Sequence, residues 1–286
     1  MTTLAVTDLC KDYTLRNGLK FSKLHAVKDV SFELVPGRTV ALVGQSGSGK
    51  STIAKLISQL ERPTSGSITL GGKPIGTRGK ALREYRDQVQ MVFQDPFASL
   101  NPFHTIGHHL ERPLLLHGKA TRRTVREKAL ALLERVNLTP AESYIDRRPH
   151  ELSGGQRQRV AIARALAPEP TVLVADEPVS MLDVSIRLGV LNLLARLQRE
   201  ENLALLYITH DLATARHFSD EILVMYRGEV VEQGSADDVI LRPQAEFTKK
   251  LLVAAPEPGA NPRFIAEAKR RGVPMPDHLA HAEDLT

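Results

Sequence analysis

The sequence is short of cysteine, of long apolar runs and of charge bias. Cys10 is the single cysteine among 286 residues. That count excludes an intramolecular disulfide, a zinc cluster built on cysteines and a cysteine-held iron–sulfur cluster. The longest aliphatic stretches, such as Val172–Ala175 and Leu203–Ile208, fall well below the ~18 residues that span a bilayer. Met1 to Asp8 carry neither a basic segment nor an apolar core behind it, so no signal peptide is expected. Lys+Arg number 38 and Asp+Glu 33, a formal net charge of +5. The sequence pI of about 9.3 raises nucleic acid as a partner, but the basic residues are interleaved with acids. The densest cluster, Lys119, Arg122, Arg123, Arg126 and Lys128, contains Glu127 and reads as a solvated helix face. A soluble, cytosolic chain that binds no nucleic acid is expected.

What is present alternates. Lys28–Val35 reads as a strand, Pro36-Gly37 as a turn and Thr39–Val43 as a buried strand. A glycine-rich loop, Gly44–Gly49, precedes a predicted helix over Lys50–Gln59. Ser67–Leu70 with Gly71-Gly72 looks like half of a hairpin, and Gln88–Phe93 like another strand. The middle third turns helical, with Val125, Ala129, Leu132, Leu133 and Val136 at helical spacing. A second helix, Gly155–Ala167, follows Ser153. Thr171–Ala175 and Leu205–Ile208 read as strands around a helix over Ser185–Glu201. Glu221–Tyr226 and Glu229–Glu232 form a hairpin turned at Arg227-Gly228, and a short helix precedes a Pro-rich tail, Pro256 to Pro276. The pattern is a mixed α/β core interrupted by helices.

Gly44-Gln-Ser-Gly-Ser-Gly-Lys50-Ser51 fits the spacing G-x-x-x-x-G-K-[ST], with a strand before it and a helix after it. The glycines let backbone N–H groups turn inward around phosphate oxygens, and the helix N-terminus adds its partial positive charge. Lys50 is placed to reach the β- and γ-phosphates and the Ser51 hydroxyl to ligate Mg²⁺. Gly44, Ser46, Gly47, Gly49 and Thr52 complete the expected phosphate-binding set. Asp176 and Glu177 close an apolar strand at its carboxyl end, where open α/β sheets bind ligands. Asp176 is expected to help hold Mg²⁺ from its outer coordination sphere, and Glu177 to polarise the attacking water as general base.

Leu152-Ser153-Gly154-Gly155-Gln156 adds a second anion site, an N-cap serine followed by two glycines at a helix start. With the two motifs above, residues 1–240 resemble the ATPase subunit of an ATP-binding-cassette transporter. The resemblance implies a P-loop NTPase (RecA-like) α/β core with an antiparallel β subdomain and a helical subdomain inserted at about 96–158. It implies ATP and Mg²⁺ as cofactors, Tyr13 as the adenine-stacking aromatic, and Gln94 as a contact to Mg²⁺ and water that senses the γ-phosphate. It implies His210 as a γ-phosphate and water contact and Asp183 as part of a dimer seam. In that family Ser153, Gly154, Gly155 and Gln156 would close over the ATP held by a second subunit. His104, His108, His109, His117 and His150 receive no role, since their spacing makes no metal set.

Chromosome and recombination relatives insert a long coiled coil between phosphate loop and signature, where this chain has only Thr52–Glu151 without sustained heptads. Excision-repair relatives carry zinc cysteines there, and translation-type relatives fuse two cassettes. The nucleic-acid-processing class is therefore the alternative of another kind, resting on the basic pI. Phe93 to Pro102, Glu177-Pro178-Val179-Ser180 and Leu182-Asp183-Val184-Ser185 are similar to the dipeptide/oligopeptide permease subfamily. Phe247 to Leu252 and Ala255-Pro256, within a C-terminal extension over 241–286, resemble its tail element. Met181 stands where Ala is more usual; Ala245-Glu246 stand where His-Pro is usual and Phe247 for Tyr, and this tail departure makes oligosaccharide or nickel import the alternative substrate class. The implied partners are two membrane-spanning permease subunits, a second identical or homologous ATPase subunit and, indirectly, an extracytoplasmic solute-binding protein. The implied location is the cytoplasmic face of the membrane. Phe97, Leu100 and Phe103 are expected either to touch the membrane subunits' coupling helices or to form a local minicore of the helical insertion.

Overall fold

A computed structural model describes residues 3–17 and 20–254. The Pro-rich tail, Pro256 to Pro276, and the Ala255-Pro256 part of the tail element lie outside the described residues. Strands β1 (Leu4–Asn17) and β2 (Lys20–Leu34) pair antiparallel along nearly their whole length. With β4 (Ser65–Leu70) and β5 (Lys73–Pro74) they form a four-stranded sheet in the order β2-β1-β4-β5. Strand β2 extends the expected Lys28–Val35 strand back to Lys20, and β1 went unread. Both carry a non-glycine residue in the left-handed region, Asp8 and Asp29 at φ +48°. The register slips between Val6 and Leu9, so the period-two alternation that would announce the strands is broken.

The second sheet has six strands, ordered β10-β9-β3-β8-β7-β6. They are β3 (Thr39–Gly44), β6 (Val89–Val92), β7 (Val172–Asp176), β8 (Ala204–Thr209), β9 (Glu221–Tyr226) and β10 (Glu229–Ser235). All neighbouring pairs are parallel except β9–β10. That hairpin turns at Arg227 and Gly228, both at positive φ, as a primed turn requires. Burial on both faces explains the continuous apolar runs of β3, β7 and β8.

Alternate residues of this sheet enter two different cores. Val40, Leu42, Val172, Val174, Leu206 and Ile208 face helix α1 (Lys50–Ile57) and the antiparallel sheet. Ala41, Val43, Leu173, Ala175, Leu205 and Tyr207 face the helical side of the molecule. On that side lie α4 (Ile106–Leu116), α5 (Val125–Arg135), α7 (Gly154–Leu166), α8 (Val184–Glu200) and α9 (Leu212–Phe218). The apolar positions read for α5 are all buried. Shorter helices are α2 (Gly79–Gln88), α3 (Pro96–Ser99), α6 (Glu142–Ile145) and α10 (Ala236–Leu241). Last is α11 (Glu246–Ala254), whose Phe247 stacks on Tyr226 at 4.2 Å. No helix among the described residues is long and apolar enough to cross a membrane.

Candidate functional site

The turn from β3 into α1 requires glycine at two places. A Cβ on Gly44 would stand 2.3 Å from the Met225 carbonyl oxygen, and one on Gly49 equally close to that of Ala26. Gly49 also sits at φ +109° and Gly47 at +77°, in the region that favours glycine. Gly49 is the N-cap of α1 and offers no side chain to its first turn, so those backbone donors face the loop unfilled. The Lys50 amine is folded into the same loop, donating to the carbonyls of Gly44 at 2.7 Å and Gln45 at 3.0 Å. Burial pushes its pKa below the ordinary lysine value, opposed by Glu177 and Asp176.

Two acids follow from the end of β7. Asp176 is buried, and the Ser51 hydroxyl donates to its Oδ1 at 3.2 Å. Burial raises its pKa above the usual carboxylate value against the Ser51 hydrogen bond. Glu177 turns the chain at φ +44°, and its N–H donates to the Ile208 carbonyl at 2.9 Å. A non-glycine residue at such a φ is strained and held by its surroundings. Its carboxylate is bracketed on both oxygens. Gln94 Nε2 donates to Oε2 at 2.9 Å, and His210 Nδ1 stands 3.4 Å from Oε1.

These groups share one cleft of about 1050 Å³. Tyr13, Ser46, Gly47, Gly49, Lys50, Ser51, Thr52, Gln94, Glu177 and His210 all line it. Gly44 lies beneath it through its carbonyl, and Asp176 sits behind Ser51, lining a neighbouring cavity. The Tyr13 hydroxyl donates to Glu61, and the Lys11 amine lies 5.1 Å from the ring centroid. Burial and the Glu61 hydrogen bond push the phenol pKa up. Sequence reasoning missed the wall formed by Lys23–Ala26 of β2, because the shifted register hid that strand. It recognised Arg227-Gly228 only as a turn; the Gly228 N–H donates to the Ser48 carbonyl at 3.0 Å, pinning that turn to the loop.

The signature occupies a different place. None of Ser153, Gly154, Gly155 or Gln156 is among the described residues lining the cleft. Ser153 Oγ accepts from the Gln156 N–H at 3.3 Å while the Ser153 N–H donates to Gln156 Oε1 at 2.9 Å, a complete capping box. Asp183 is the exposed N-cap residue of α8 and makes no side-chain cap bond. Of the three apolar residues, Leu100 is fully buried in the helical-side core, as the minicore alternative has it. Phe97 and Phe103 are exposed. Among the described residues, no group of three or more His, Cys, Asp or Glu is arranged to hold a metal ion.

The ABC transporter family model matches residues 27–180, the span from the cleft wall through the phosphate loop and signature to the acidic strand. The chain belongs to the ABC transporter family. This cassette is 46% identical over 260 residues to the dipeptide transport ATP-binding protein DppF of Haemophilus influenzae. That match covers 89% of this chain and 78% of the relative. It is 45% identical over 262 residues to the oligopeptide transport ATP-binding protein OppF of Salmonella typhimurium, with the same coverage of 89% and 78%. Against the glutathione import ATP-binding protein GsiA of Pectobacterium atrosepticum it is 46% identical over 257 residues, 88% of this chain. The match spans only 41% of that longer relative.

Solved cassettes carry the same fold. A dimeric ATP-binding cassette in a post-hydrolysis state, bound to ADP and Pi, has a TM-score of 0.71 at 32% identity. The match covers 82% of this chain and 98% of that one. The cassette cbiO1 of Clostridium perfringens, part of an ABC transporter complex, has a TM-score of 0.72 at 28% identity over 94% of each chain. The expected α/β P-loop core with its antiparallel sheet and helices is the fold of this cassette.

Proposed function

We propose that this ATP-hydrolysing cassette powers an importer of di- or oligopeptides from the cytoplasmic face of the membrane. Two separate permease subunits supply the path, a second cassette completes the ATPase, and an extracytoplasmic binding protein delivers the solute. Relatives named for dipeptide and oligopeptide transport, matched over most of their length, support the solute class. Residues 1–240 form the ATPase unit, with its helical subdomain at about 96–158, and 241–286 an extension to it.

The observation that carries the catalytic reading is the Glu177 carboxylate held between Gln94 and His210 at the mouth of the phosphate loop. Lys50 and the open first turn of α1 hold the phosphates, and Tyr13 stacks on the adenine. Glu177 takes a proton from the attacking water, with Gln94 and His210 orienting that water and meeting the γ-phosphate. Ser51, Asp176 and Gln94 are oxygen-bearing groups of the kind Mg²⁺ prefers. The buried Asp176 carboxyl beside the Ser51 hydroxyl suits a cation that completes its shell with phosphate and water. When bound there, the ion supplies charge neutralisation to the phosphates.

Glu177→Gln tests the base. Hydrolysis should fall by about 10²- to 10⁴-fold, ATP binding should persist, and an ATP-bound dimer should become long-lived. Turnover close to that of the unmodified chain would remove Glu177 from the role. The importer reading is tested by purifying the tagged chain from detergent-solubilised membranes. Two membrane proteins with a peptide-binding protein support it, whereas recovery of nucleic acid overturns it.

A further inference from the structure

We infer that Arg157 is a positioning residue that locks the Gln94 loop to the signature helix, so that the two move as one body. The loop after Gln94 is a stiff turn. Asp95 Oδ1 accepts from the N–H groups of Phe97 at 2.7 Å and Ala98 at 3.1 Å, and Pro96 opens α3. This holds the Phe97 ring out from the core, 49% exposed. The Arg157 guanidinium lies over that ring, 4.2 Å from its centroid. The same guanidinium donates from Nε to the Leu152 carbonyl at 3.0 Å and from Nη2 to the His150 carbonyl at 3.4 Å. Leu152 immediately precedes Ser153, so one planar group grips both the loop and the backbone entering the signature.

A second contact holds the other end of α3. Arg164, seven residues on and therefore on the same face of α7, donates to the Ser99 carbonyl. The chain of contacts runs from Glu177 through Gln94, the capped turn and Phe97 to Arg157 and Leu152. The Gln94 amide donates to Glu177, and a γ-phosphate with its water would compete for that amide. Re-aiming Gln94 drags α3, and Arg157 carries the shift to Ser153. The coupling is carried by contacts that join end to end, each between named groups. It rests on the reading that the signature closes over a nucleotide held by a second cassette.

The test uses the full chain. Arg157→Lys keeps the charge and loses the planar stack; Phe97→Leu removes the ring from an exposed site; Phe97→Tyr restores it. Steady-state ATP hydrolysis, equilibrium ATP binding and melting temperature are measured for each variant and for the Arg157→Lys/Phe97→Leu pair. The expected result is a fall in kcat of about 3- to 10-fold for each single change. ATP affinity and melting temperature should be unchanged, the pair no worse than either single variant, and Phe97→Tyr near the unmodified chain. Additive losses, a melting temperature that falls in step with kcat, or no rescue by tyrosine would overturn the inference. An unmodified chain that hydrolyses ATP without cooperativity would instead overturn the two-cassette reading beneath it.

Discussion

Helix α1 begins at Gly49 with no side chain over its first turn, whereas α7 begins at Ser153 beneath a complete capping box. Both starts are glycine-rich and both present a positive helix end, yet they are finished differently. At α1 no side chain caps the first turn, and a buried lysine donates into the loop. Burial lowers that lysine's pKa and raises that of Asp176, so both charges are held against their solvation preference until phosphate and cation arrive. At α7 the reciprocal Ser153–Gln156 bonds satisfy the helix without a ligand. The first start has no side-chain cap, whereas the second is satisfied within the chain. That difference suits a pair of cassettes in which binding is done by one surface and closure by the other.

The sharpest break would come from the lysine. Lys50→Ala removes the charged donors from the phosphate loop, and ATP affinity should fall by about 10- to 100-fold, with hydrolysis lost. Equilibrium binding of a fluorescent ATP analogue reads the first and phosphate release the second. Ser153→Ala acts on the other helix start. Loss of the cap should cost about 1 kcal/mol of stability, read in urea, while the isolated chain binds ATP as before. Should Ser153→Ala weaken binding as much as Lys50→Ala, the two starts would share one nucleotide and the contrast would collapse.

The smallest expected effect concerns the buried acid. With its pKa raised by burial, Asp176 holds more protons folded than unfolded. Its contribution is therefore intact below the ordinary carboxylate range and is lost as pH rises through the folded value. Asp176→Asn should accordingly raise the melting temperature of the nucleotide-free chain at pH 7, by roughly 2–4 °C for each kcal/mol relieved. The gain should vanish near pH 3, where both states are protonated. An equal gain at both pH values would assign the effect to packing rather than charge.

Local chemistry was the legible part. The phosphate loop, the acids after β7, the signature and the α5 stripe each sit within a few consecutive residues, where spacing and backbone demands act directly. The cleft wall from β2 was not legible, because the bulges at Asp8 and Asp29 shift the alternation on which a strand is recognised. The Pro- and Asn-rich loop around Leu100 leaves partner contact and local packing equally open, and only the tertiary structure puts that side chain in the helical-side core. The pairing of Glu61 with Tyr13 joins residues 48 positions apart and had no local signal.

By itself, the sequence determined the residues proposed to handle phosphate, because glycine turns the loop and a lysine, a hydroxyl and carboxylates follow at fixed spacing. It also determined where most helices and buried strands lie, through period and caps. Tertiary structure alone decided that Gln94, Glu177 and His210 meet, since they come from the ends of three separate strands made neighbours by parallel pairing. Which side chains converge depends on strand order and register, and those are settled by burying two cores on opposite faces of one sheet.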